Sequence, residues 1–272
     1  MKFKLLTLLL SIIVLITSFS VVLAQSEYLS LKRTYLSNFK IYQDQRSAYE
    51  TAKAKYEAFG TLTAQTTAQG AAKSFLNAGA TSTLNFLDIL NYNVRNFTNF
   101  NNEDKEKIFK IISDDQVFYK NILNKTATVT ALSELNTISN DLEVYYKTTT
   151  TVKIKLILLF IETEKTINIQ NGANDISNDI SRLAEDYSQT KKSTINTWYQ
   201  QTLDTLKQSE INIKQTKDSI NELLDAYTVT DTKKKMSDNT SLSKAQKSLD
   251  LSQEMLKRVL NNIDEIVIQV NN

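Results

Sequence analysis

Three carboxylate pairs are the side chains best placed for chemistry: Asp114 with Asp115, Glu162 with Glu164, and Asp175 with Asp179. A pair four residues apart, such as Asp175 and Asp179, shares a helix face and would serve as a general base or a calcium ligand. A calcium loop, however, needs closely alternating oxygen ligands and a glycine turn, and neither accompanies these residues. Ser243 and Lys244 place a hydroxyl beside an amine, but without a supporting frame, and no glycine-rich phosphate loop occurs. His and Cys are absent, which removes imidazole bases, thiol nucleophiles and transition-metal sites built on them. The acidic pairs therefore read as solvated helix faces. The chain is expected to carry no catalytic, cofactor-binding or metal-binding residues and to be no enzyme.

A fourth feature is aromatic. Tyr28, Tyr35, Tyr42, Tyr49 and Tyr56 recur every seventh residue, and Leu31, Phe39, Ala52 and Phe59 fall three or four residues after members of that row. Such a row would serve as a ladder for a glycan or peptide. It equally forms a helix seam whose rings pack inward while the hydroxyls reach a wet edge, and that is the preferred reading.

The elements that must position these residues are helices. Pro is absent and Gly occurs only at positions 60, 70, 79 and 172, so tight turns between strands have little to be built from. With 41% hydrophobic and 23% charged residues, the chain has enough apolar material for a core. Helices are expected near 26–59, 71–97, 103–124, 128–171, 173–228 and 240–271. Gly60 to Gly70 reads as a turn, Thr98–Asn102 as a polar break with an Asn N-cap, and Asp231–Thr240 as a loop. Ser113 with Gln116 offers a capping box, yet the apolar phase of Ile108, Ile111, Ile112, Phe118, Tyr119 and Ile122 continues through it, so one helix is expected there. Val152–Ile161 is β-branched and apolar enough for a strand. It has no strand-like partner, and reads as a helix buried on most sides. From Ile176 to Tyr227 an apolar 3–4 pattern continues, with Ser, Thr, Lys, Asp and Gln on the intervening faces. Leu242, Leu249, Leu256, Ile263 and Val270 form a last heptad row, beside Ala245, Val259 and Ile266. The expected fold is all-α: an elongated antiparallel bundle with coiled-coil-like heptad packing, in which each helix buries one stripe.

Residues 1–24 have the parts of an export signal: Lys2 and Lys4, an apolar Leu5–Val22 stretch, and small residues at Val22 and Ala24. Cleavage would leave Gln25 first; retention would make the segment a membrane anchor and bring the chain into contact with the membrane. Either way the bulk of the chain is expected outside the cytoplasm, secreted or at the cell surface. Without Cys it is not a lipid-anchored lipoprotein. Formal charge is +2, from 32 basic and 30 acidic residues. The two leader lysines account for that excess, so no basic footprint for nucleic acid is present. The Lys233–Lys235 run reads as a solvated loop.

The Tyr35–Tyr56 row running into Phe59-Gly-Thr-Leu-Thr63, with Leu132-Ser-Glu-Leu135 and Leu142-Glu-Val-Tyr145, resembles a loose group of uncharacterised secreted helical proteins from small-genome candidate-phylum bacteria. The resemblance spans about the first 150 residues. It implies an exported helical protein and brings no activity or site with it. The expected function is an extracytoplasmic scaffold or surface-interaction module whose partner is a protein or the cell envelope. The alternatives are a membrane-inserting, pore-forming-like protein using Val152–Ile161, and a small-molecule sensor. Intact-mass analysis of the exported chain should find Gln25 at its N-terminus; a chain still beginning at Met1 would show a retained anchor.

Overall fold

The computed structural model describes residues 21–184, 189–228 and 239–271. The export signal up to Ser20, the Lys233–Lys235 run and residues 231–238 of the loop expected over Asp231–Thr240 lie outside the described residues, while Asn239 and Thr240 of that loop are already helical. The chain is an all-α bundle, without a strand among the described residues. Its elements are α1 (Val21–Phe59), α2 (Leu62–Arg95), α3 (Asn102–Thr128), α4 (Leu132–Tyr145), a π-helical turn (Tyr146–Thr150), α5 (Thr151–Ala184), α6 (Gln189–Thr228) and α7 (Asn239–Asn271).

Several expected boundaries are corrected. Helix α1, expected from 26, is already helical at Val21, the first described residue. The turn expected over Gly60–Gly70 shrinks to two residues, Gly60 and Thr61. Gly60 adopts φ +60°, the left-handed conformation that closes a helix, and its N–H donates to the Tyr56 carbonyl at 2.9 Å. Thr61 then caps α2, its Oγ1 accepting from Ala64 N at 3.2 Å. Gly70 lies inside α2. The helix expected over 128–171 is broken at Val129–Ala131 and again by the π-helical turn. At the first break Val129 is buried and Gln69 Nε2 donates to the Thr130 carbonyl, so the backbone leaves the helix without stranding its polar groups. At the second, Thr148, Thr149 and Thr150 crowd one turn with branched side chains, and the turn widens. The boundary expected near Gly172 does not exist, because α5 continues through it to Ala184. The polar break stands at Asn96–Asn101, and Asn101 Oδ1 caps α3 by accepting from Asp104 N at 2.8 Å. Helix α3 is continuous through Ser113, and Val152–Ile161 is helical, with Leu156, Ile157 and Phe160 wholly buried.

The chain divides into two units, Met1–Asn93 with Ile112–Lys147, and Val94–Ile111 with Thr148–Asn272. In the first, α1 and α2 run antiparallel through the tyrosine row. Tyr28 meets Tyr92, Tyr35 meets Phe86, and Phe75 stacks between Tyr42 and Tyr49 at centroid distances of 5.4 and 5.5 Å. Gly79 faces the Tyr42 ring, where a Cβ would make an ordinary contact at 3.4 Å. The second row of this seam differs from expectation. Asn38 occupies the place given to Phe39 and donates to Asn85 Oδ1 at 2.6 Å, while Phe39 and Phe59 are exposed. Helix α2 also departs from the single-stripe expectation. Ala72, Leu76, Ala80, Leu87, Leu90 and Val94 are buried at 3–4 and 7 spacings, and so are Ala78, Ser82, Ile89 and Tyr92 on a second face.

The second unit is a three-helix seam. Helices α6 and α7 run antiparallel, as the pairs Ser209–Ser252 and Thr216–Ala245 show. The heptad row of α7 is buried at Leu242, Leu249, Leu256 and Ile263, flanked by Ala245, Ser252, Val259 and Ile266; Val270 has no described side chain. Part of what was expected to be a polar face on α6 instead enters the core: Thr202, Ser209 and Thr216 are buried seven residues apart, in line with the expected apolar Ile195 and Leu223. Helix α5 does the same with Leu156, Thr163, Gln170 and Ser177. Ile176, expected in the core, is exposed. Most seam hydroxyls donate to the carbonyl four residues back, at 2.7 Å for Thr163, 2.8 Å for Ser177, and 2.9 Å for Thr202 and Thr216. Their burial is therefore paid for locally. Gln170 Nε2 crosses to the Leu206 carbonyl at 3.0 Å.

Gly70 and Gly172 test the revised boundaries, because a Cβ at either meets nothing within 4 Å. Gly70→Ala and Gly172→Ala should each stabilise the chain by about 0.5–1 kcal/mol in thermal or urea unfolding. Destabilisation would restore the turns expected from sequence.

Candidate interaction surface

The carboxylates singled out from sequence do not converge. Asp114 is exposed, whereas Asp115 is buried in the first unit and accepts the Tyr145 hydroxyl at 2.8 Å. The Tyr145 ring stacks on Phe118 at 3.6 Å, so the pair ties α4 to α3. Burial first, and the Asp115 charge second, hold the Tyr145 phenol well above its usual range.

Glu162 is exposed, but Glu164 is buried in the second unit. Its carboxylate accepts from Thr98 N at 2.8 Å, Asn99 N at 3.1 Å and Asn99 Nδ2 at 3.0 Å. These donors belong to the turn between α2 and α3, where no helix supplies partners for them. Phe97 and Phe100 pack on Phe160 beside this clasp, and Lys217 covers the Phe100 ring at 5.0 Å while donating to the Asn99 carbonyl at 3.2 Å. Glu164 thus fastens a turn through charge-assisted bonds. Asp175 and Asp179 are both exposed, and Asp179 pairs with Arg182 at 3.6 Å. Ser243 and Lys244 are exposed on α7. Among the described residues no group of three or more acidic side chains is placed to hold a metal ion, and no helix is long and apolar enough to cross a membrane.

Two concave features among the described residues are shallow. One depression follows α1 at Ser47, Thr51, Ala54, Ala58 and Phe59; another lies between α6 and α7 at Gln201, Thr205, Arg258 and Asn262. Neither encloses a cluster of inward-facing polar groups of the kind that orients a small ligand.

The feature that stripe reading missed is the outer side of α1. Of its described residues only Ala52 is buried, while Leu29, Leu36, Phe39, Ile41 and Phe59 are exposed, Leu36 to 52% and Phe59 to 72%. Beyond the tyrosine row, one flank carries Leu29, Lys32, Arg33, Leu36, Phe39, Lys40, Gln43 and Arg46, with Asp44 at its edge and Glu50 at its end. A helical-wheel reading of cations and apolar residues together, instead of apolar residues alone, finds it. Comparison with family models, with curated proteins and with solved structures gives no match.

Tyr145→Phe should cost about 1–3 kcal/mol near neutral pH, by removing the donor to a buried carboxylate. The raised phenol value contributes stability that is present below pH 10, its ordinary value, and lost as pH rises above it. The gap between the parent and Tyr145→Phe in urea unfolding should therefore narrow in alkaline buffer; a constant gap would contradict the burial of this phenol.

Proposed function

We propose that this protein is an exported, non-enzymatic helical scaffold that engages a partner at the cell envelope through an exposed helix face. One observation carries the reading: α1, a 39-residue helix, buries a single described side chain and leaves large apolar residues in water. A helix of that length satisfied by its own fold would bury a continuous stripe, and exposed apolar residues gathered on one face mark a contact surface. The scattered carboxylate pairs support the non-enzymatic part, since their two buried members, Asp115 and Glu164, are engaged in fastening α4 and the α2–α3 turn. The leader read from sequence supports export.

The test is site-specific photo-crosslinking in expressing cells. A photoreactive residue at Leu36 should give a discrete adduct at the envelope, and one at the exposed Asp250 on α7 should give none. Equal, diffuse labelling at both positions, or retention of the chain in the cytoplasm, would count against the proposal.

A further inference from the structure

The flank of α1 from Leu29 to Arg46 has a chemistry that narrows the partner. Leu29 and Leu36 stand seven residues apart with Phe39 beside them, and Lys32, Arg33, Lys40 and Arg46 alternate with them on the same side. All seven side chains are exposed. Glu27 belongs to the other flank, whereas Asp44 borders the strip one turn beyond Lys40 and Glu50 follows one turn beyond Arg46, so Lys32 and Arg33 are its cations without an acidic residue one turn ahead. Asp44 meets Lys40 at 3.1 Å and Glu50 meets Arg46 at 2.9 Å, both as surface pairs that an anionic partner readily replaces.

We infer that this flank of α1 docks on an anionic lipid surface. The inference rests on the interaction reading above and names its partner. Apolar side chains interleaved with Lys and Arg suit a headgroup layer, because the rings and branched tips enter the acyl boundary while the cationic heads stay at the phosphates. A second copy of the chain fits poorly, since stacking this face on itself sets Lys32, Arg33 and Lys40 against the same cations. In the sequence the strip follows closely after the apolar Leu5–Val22 stretch. Whenever that stretch occupies a bilayer, the strip is the part of the described chain delivered first to the headgroups.

The absence of Cys makes a single-site probe simple. Leu36→Cys and Thr34→Cys versions of the full chain, the latter on the opposite flank, are labelled with an environment-sensitive nitrobenzoxadiazole. They are then titrated with vesicles of phosphatidylglycerol and phosphatidylcholine, or of phosphatidylcholine alone. Emission at position 36 should rise several-fold and shift to the blue with the anionic vesicles only, and position 34 should change little. Adding Lys32→Glu and Arg33→Glu should weaken the response more than tenfold, from roughly fivefold for each cation lost at the surface, with helicity by circular dichroism unchanged.

An equal response to phosphatidylcholine, an equal response at both positions, or an unchanged charge-reversed chain would each overturn the lipid assignment. So would a response that needs no vesicles and grows with protein concentration, which would indicate a second copy. If vesicles fail while Leu36 still gives a discrete protein adduct in cells, the interaction reading stands and the lipid assignment falls. Failure of both removes both.

Discussion

The bond from a seam hydroxyl to the carbonyl one helical turn earlier is what the second unit depends on. Three long helices meet there with Thr163, Ser177, Thr202 and Thr216 wholly inside. A buried hydroxyl without a partner costs a few kcal/mol, enough to unmake a small bundle. The helix supplies the partner itself, since each carbonyl has a second lone pair left over from the ladder. Small side chains then serve the packing, because they let helix axes approach while Leu and Ile fill the layers between them. Ser209 and Ser252 go further and join α6 to α7 directly at 2.8 Å. With no disulfide available, side-chain seams of this kind hold the unit together.

The first unit solves the same problem with aromatic rings. Tyr28, Tyr35, Tyr42 and Tyr49 of α1 lie against Phe75, Phe86 and Tyr92 of α2, and none of these four is fully buried. A phenol suits this half-wet position, as the ring packs while the hydroxyl remains hydrated. The cost is an α1 anchored along one narrow line. Its remaining faces stay in water, and this is why the surface of interest lies there.

Much of this was legible in the sequence, and the failures have identifiable physical causes. The absence of Pro, the sparse Gly and the heptads of α1 and α7 specify long helices, and the Asn101 cap was visible as a residue type in the right place. Gly70 and Gly172 misled, because a glycine is both a turn former and a tolerated helix residue, and only the surrounding caps decide which. The Thr202, Ser209 and Thr216 row was hidden by treating hydroxyl residues as solvent-facing, although the same seven-residue spacing marked it as a seam. Asn38 was passed over for the neighbouring Phe39 on hydrophobicity, when the register required position 38. The acidic pairs showed no more than their residue types; that one member of each of two pairs, Asp115 and Glu164, turns inward depends on a phenol and a turn distant in the chain.

The hydroxyl-bearing seam also shapes how the second unit responds to heat and cold. Apolar surface exposed on unfolding raises the heat capacity, and polar surface lowers it. A core with a hydroxyl in successive heptads exposes both together, so its heat-capacity increment is smaller than that of a leucine seam of equal length. The stability of such a unit varies gently with temperature: it gives up some maximum stability and gains a wider thermal range over which the three helices remain together.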